Sequence, residues 1–174
     1  SPLEVVRPLI RTRQFRQFTD EPVSDELLNA LTEVARWSGS SRNTQPCRFV
    51  IVRRLATIRE LWQAGVPQTR SLETATAAIA ITLPRNEERV VGLAYDDGRA
   101  AERILVAASM LGIGAGIWWV RGDVHARVAE LLALPADRMV RTIMSVGRPT
   151  AEARAPRAAP GQARLPANEV VDWR

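Results

Sequence analysis

From about Asp96 to Leu111 the chain carries Ala100, Ala101, Ile104, Leu105, Ala107, Ala108 and Leu111, a helix with very little polar surface. A helix that is apolar nearly all round has to sit inside a fold, with other elements packed on it from more than one side. Gly112 and Gly114 stop it. Four shorter apolar runs supply the layer it can pack against: Phe49–Val52, Ala77–Leu83 closed by Pro84, Ala115–Val120 and Met139–Val146. Each has strand length, and their near-continuous hydrophobicity predicts strands buried on both faces.

The remaining segments alternate with these runs. Leu3, Val6 and Ile10 are spaced for a short first helix despite Pro8. Ser24 is a good N-cap, with Asp25 and Glu26 in the first turn. Leu27, Leu28, Leu31, Val34 and Ala35 form one stripe, so residues 24–37 are expected to be helical. Thr57–Gln63 reads as a second amphipathic helix, residues 66–74 as a loop, and 123–134 as a helix capped by Asp123. Asp96 and Asp97 are expected to be the N-cap and first-turn charges of the long helix. Arg148–Pro160, rich in Ala, Arg and Pro, is expected to be neither helix nor core but an extended arm. The alternation predicts one α+β or α/β domain over residues 1–174, with 148–174 as a C-terminal arm.

Composition narrows the function. The net charge of +5 comes wholly from arginine, since all 24 basic residues are Arg. They are spread along the chain and not gathered in a basic tail, which argues against nucleic-acid binding. No window of 18 apolar residues exists, so no membrane span is expected, and the first residues lack a signal-peptide pattern; the expectation is a cytoplasmic protein. One cysteine and one histidine leave no disulfide framework, no His/Cys metal site and no Ser/His/Asp set. There is no P-loop, and Gly112-Ile113-Gly114 follows a helix instead of a strand. Cys47 is expected to be an inert, buried thiol. No catalytic side chain is assigned, so a bound cofactor has to carry any chemistry.

Three polar stretches can hold one. Ser40–Phe49 offers hydroxyls, the amides of Asn43 and Gln45, and two guanidinium groups on a loop between helix and strand. Arg11–Phe18 alternates cations with aromatic rings, and Arg164 follows near the C-terminus. Together they read as a site for a phosphate-bearing, flat-ringed ligand, with Arg13, Arg16 and Arg164 as phosphate candidates because the guanidinium fork donates paired hydrogen bonds.

In order along the chain, Arg13–Phe18 followed by Pro22-Val23, Ser40–Pro46 running into Arg48-Phe49, Asp96-x-Gly98-x-Ala100-Ala101 leading to Leu111–Gly114, Gly147-x-Pro149 and Arg164–Pro166 resemble the motifs of the nitroreductase-like family of FMN flavoproteins. The resemblance implies an α+β three-layer sandwich, with a central, mostly antiparallel sheet flanked by helices, in an intertwined homodimer. It implies FMN at the subunit interface: Arg13, Gln14, Arg16 and Arg164 on its phosphate, Ser40 and Ser41 reaching it from the other subunit, Asn43 as a further cofactor-binding residue, and the strand Ile117-Trp118-Trp119 passing along the ring with backbone donors. The implied activity is two-electron transfer from NADH or NADPH to a small acceptor, a nitroaromatic, quinone or enone, in a ping-pong cycle. A flavin-binding or flavin-sequestering protein with little turnover is the alternative. Thr12, Gln14, Cys47, Arg103 and a short segment 66–95 depart from the family's usual pattern.

Overall fold

The computed structural model describes residues 1–65, 67–156 and 164–174. Four strands, β1 (Arg48–Val52), β2 (Ala77–Pro84), β3 (Gly114–Trp119) and β4 (Arg138–Gly147), form one antiparallel sheet in the order β1-β2-β4-β3. Strand alternation sends successive side chains to opposite faces. Ala77, Ile79 and Ile81 of β2, with Met144 and Val146 of β4, face α2 (Asp25–Arg36) and α4 (Val90–Met110). Ala78 and Ala80, with Ile143 and Trp118, face α3 (Leu55–Ala64) and α5 (His125–Leu131). The result is the expected three-layer α+β sandwich, with the apolar long helix against the sheet.

One irregularity breaks the β2–β4 register. Ile81 pairs with Thr142 but Thr82 with Val140, so Arg141 is bulged out of the ladder. The extra residue lets Val140 and Ile143, an odd number apart, share one face, while Thr142 turns to α4.

Two expectations need correction. The long helix starts at Val90, after a turn capped by Asn86, whose Oδ1 accepts from Arg89 N–H at 3.1 Å. Asp96 and Asp97 therefore cap nothing. They lie inside α4 and are 2% and 6% exposed. The stretch after Arg148 is not uniformly extended either: the Thr150 hydroxyl accepts from Ala153 N–H at 3.1 Å and starts a single turn, α6 (Ala151–Arg154), whose Ala153 is buried. Residues 157–160 of the expected arm lie outside the described residues. At the far end, Gly112 (φ +71°) takes the left-handed position that closes α4, and Ile113 N–H donates back to Ala108 at 3.0 Å.

α1 (Pro2–Arg11) forms where expected but buries none of its residues, and Leu3, Leu9 and Ile10 stay exposed. α7 (Ala167–Val170) is one short turn near the C-terminus, and Trp173 beyond it is 95% exposed.

Candidate functional site

The stretch after α1 runs along the free edge of β3. Phe15 N–H donates to Ala115 at 2.9 Å, Thr19 N–H to Arg148 at 2.8 Å, and Phe18 bridges to Pro149. The approach is close enough that a Cβ on Gly116 would collide with the Phe15 carbonyl, and one on Gly147 would lie 2.7 Å from the Phe18 ring. Glycine at both positions is what lets the stretch lie flat on the sheet edge. Gln14 is fixed from the same edge, its Oε1 accepting from Ile117 N–H at 3.1 Å.

Beside this edge lies a groove of about 590 Å³ lined by Leu9, Ile10, Thr12, Arg13, Gln14, Arg16, Glu102, Leu105 and Arg164. It joins the first and third of the expected stretches, so residues about 150 positions apart meet on one surface. Arg16 and Arg164 line it with exposed side chains. Arg13 is held differently: Nη1 donates to Ala155 O at 3.1 Å, Nη2 to Ala153 O at 2.7 Å, and the guanidinium stacks on the Phe15 ring at 4.8 Å.

Within the strand, Ile117 presents its N–H to the outer edge, and by parity Trp119 does the same. Trp119 is 61% exposed. Trp118 buries its indole in the core between β3, α3 and α5, so its side chain is out of reach of the groove.

The Ser40 loop is not part of the groove. Ser40 lines a separate cavity of about 130 Å³ with Ser38, Gln45, Pro46, Cys47, Phe49 and Asp96. The Ser40 hydroxyl accepts from Gln45 N–H at 2.9 Å, while Ser41 and Asn43 form an exposed turn. Arg42, Asn43 and Gln45 all have φ near +50°, a left-handed conformation that side chains rarely adopt. Such strain persists only where surroundings hold it. Here arginines hold it: buried Arg138 donates to Pro46 O at 3.0 Å and Thr82 O at 2.6 Å, and Arg99 to Gly39 O at 3.3 Å.

Sequence reasoning missed the buried polar cluster behind this loop. Thr142 donates to Asp97 Oδ2 at 2.7 Å, and burial pushes the Asp97 carboxyl up to about 6, against the pull of that bond and of Arg141. Burial, with the charges of Asp97 and Asp96, pushes the Cys47 thiol up to about 12, and Arg138 offsets only part of this. Cys47 is thus the reverse of an activated nucleophile. The signal was present: Asp97 falls on the stripe of Ala100, Ala101 and Ile104, at spacings of three, four and seven.

Among the described residues, no group of three His, Cys, Asp or Glu could hold a metal ion, and no helix is long and apolar enough to cross a membrane.

With this geometry in view, likeness to known proteins is specific. The Nitroreductase family model matches residues 10–80, which include both the Arg13–Phe18 stretch and the Ser40 loop. An Archaeoglobus fulgidus protein named "Putative NADH dehydrogenase/NAD(P)H nitroreductase" is 29% identical over 154 residues, 86% of this chain and 87% of that protein. Among solved structures, an FMN-dependent nitroreductase from Clostridium difficile superposes with a TM-score of 0.80 at 23% identity, covering 95% of this chain and 96% of that one. Nitroreductase A from Vibrio parahaemolyticus also gives 0.80 at 23% identity, over 97% of this chain and 75% of that one. Over residues 10–80 the chain is similar in sequence to the Nitroreductase family, and its fold is that of the solved nitroreductases.

Proposed function

We propose that this chain is an oxidoreductase that binds FMN, with the phosphate in the groove beside β3 and the ring along the outer edge of that strand. The observation that carries this reading is the meeting of Arg16 and Arg164, far apart in sequence, with the edge-anchored amide of Gln14 in one groove of about 590 Å³. Two guanidinium groups suit a phosphate dianion, and Leu9, Ile10 and Leu105 give the same groove an apolar wall. Glu102, which also lines it, stands opposed to the anion and is outnumbered.

Bound FMN supplies the two-electron chemistry that this side-chain inventory lacks. The protein's part is to hold and orient. Ile117 spends its N–H on holding the Gln14 amide at the groove, and the Trp119 N–H, turned to the same outer edge of β3, would stabilise negative charge on an adjacent ring without an ionisable group. Ser40, Ser41 and Asn43 lie off the groove in one chain, so a second copy delivers them, which requires a homodimer. Exposed Leu3, Leu9 and Ile10 on α1, Val91, Tyr95 and Met110 on α4, and Trp173 are the apolar surface such a partner would cover. NADH or NADPH and a small nitroaromatic, quinone or enone would use the same open face in turn, in a ping-pong cycle where proximity does the work. Cytoplasmic location follows as part of the same proposal.

The test is an absorption spectrum of the purified or FMN-reconstituted protein, then anaerobic NADPH and NADH, then a quinone. A flavin spectrum that bleaches and recovers supports the proposal. Bleaching too slow for turnover makes the chain a flavin-binding protein instead, and a failure to take up FMN removes the reading.

A further inference from the structure

Arg13 reads from sequence as a third phosphate ligand, but its guanidinium is committed elsewhere. Its Nη1 and Nη2 donate to Ala155 O and Ala153 O at 3.1 and 2.7 Å, and one planar face lies on Phe15. Phe15 is in turn fixed to β3 by its own N–H bond to Ala115. The end-on edge of the fork, the one that would grip a phosphate in two places, is therefore turned on backbone carbonyls.

Those carbonyls need a partner. A four-residue helix is far too short to stand alone, and its last carbonyls have no acceptor role within the turn. α6 keeps its shape through three outside supports: the Thr150 cap, Arg154 Nη2 donating to Gly112 O at 3.1 Å, and Arg13 closing the C-terminal carbonyls. From Ala155 the chain leads on to Arg164, which lies in the same groove as Arg13.

We propose that Arg13 is a positioning residue. It locks α6 onto the sheet edge beside the groove that Arg164 also lines, acting on the ligand through Arg164 and not by contact. The phosphate half of this statement rests on the proposed FMN site; the locking of α6 does not.

The experiment has two arms, so the two can fail separately. In the first, amide hydrogen exchange of residues 151–155 is followed in ligand-free protein. Arg13→Ala and Arg13→Lys should both speed exchange by roughly tenfold or more, the loss of one carbonyl lock. Arg164→Ala should leave it unchanged. In the second, FMN affinity is measured for Arg13→Ala, Arg13→Lys, Arg164→Ala and Arg13→Ala/Arg164→Ala. A positioning role predicts that the double variant loses little beyond Arg164→Ala alone, and that Lys, a point donor unable to bridge two carbonyls, behaves as Ala. Additive losses, or rescue by Lys to within a few-fold, would mean direct phosphate contact and overturn the proposal. Unchanged exchange in both Arg13 variants overturns it as well. Absence of FMN binding in the unaltered protein would sink the FMN site, while the exchange arm would still decide the lock. Lys keeps the charge and the stem over Phe15, which guards against simple misfolding of the Ala variant.

Discussion

The groove at Arg16 and Arg164 and the loop from Ser40 to Phe49 are both polar surfaces built on a rigid sheet, but they are built in opposite ways. The groove is assembled from side chains: exposed arginines and one amide, brought together by pairing the Phe15–Thr19 stretch along the β3 and β4 edges. The loop is assembled from backbone, with three non-glycine residues held at left-handed φ by arginines that donate to carbonyls. In one chain the loop and the groove lie apart, lining separate cavities. A ligand that needs both has to be shared between two copies. Arginine stands differently in each region, with exposed side chains lining the groove and as a donor to backbone carbonyls in the loop, and a lysine's single point charge would not serve both equally well.

The largest effect should come from the scaffold side. The Asp97 carboxyl takes up a proton at about 6 in the fold, against 3.8 unperturbed, so the folded state holds more protons between those values. The stability that Asp97 contributes should therefore be fully present below pH 3.8 and be lost as pH rises through about 6, by up to about 3 kcal/mol in all. Asp97→Asn, which can still accept from Thr142, should remove that slope and raise the denaturation midpoint at pH 7. A slope retained in the Asn variant would assign it to another group.

On the groove side, Arg16→Ala and Arg164→Ala should each weaken FMN binding by about 1.5–3 kcal/mol, roughly 10- to 100-fold, with unfolding midpoints unchanged. An unfolding midpoint that drops with the affinity would make these arginines scaffold too, and the comparison would collapse.

A smaller effect tests the loop's strain. Asn43→Gly should raise stability by about 0.5–1 kcal/mol, because glycine adopts φ near +50° without steric cost. A loss of stability in urea titration would mean that the Asn43 side chain does more for the loop than its backbone costs. The smallest effect is expected at Cys47, whose thiol is pushed up to about 12 and so stays protonated at pH 8. It should react with iodoacetamide far more slowly than free cysteine, and Cys47→Ser should keep turnover within a few-fold. A loss of about 10³ would mark a nucleophile.

How much of this was legible follows from what kind of interaction built each part. The sandwich could be read because it rests on apolar periodicity: Ser24 with the Leu28, Leu31 and Ala35 stripe, and the unbroken run Ala77–Leu83, each give their element away locally. The start of α4 could not, because Asn86 caps a turn instead of the helix, and Asp96-Asp97 imitate a cap on a helix already under way. α6 was hidden in an Ala/Pro/Arg stretch because its stability comes from distant partners, Arg13 and Gly112. In the groove, residue type pointed to Arg16 and Arg164, but only coordinates distinguish an arginine facing open space from one closed on carbonyls. The Ser40 loop's composition marked it as a ligand loop. Its position off the groove depends on tertiary placement that no local pattern encodes.

Whether the groove is a phosphate site for a flavin can be decided by titrating flavin-free protein with FMN and with riboflavin, which shares the ring and lacks the phosphate. FMN should bind tighter by roughly 100-fold or more, the scale of two charge-assisted contacts, with the difference shrinking about tenfold or more in Arg164→Ala. Equal affinity for the two flavins would contradict a phosphate site there.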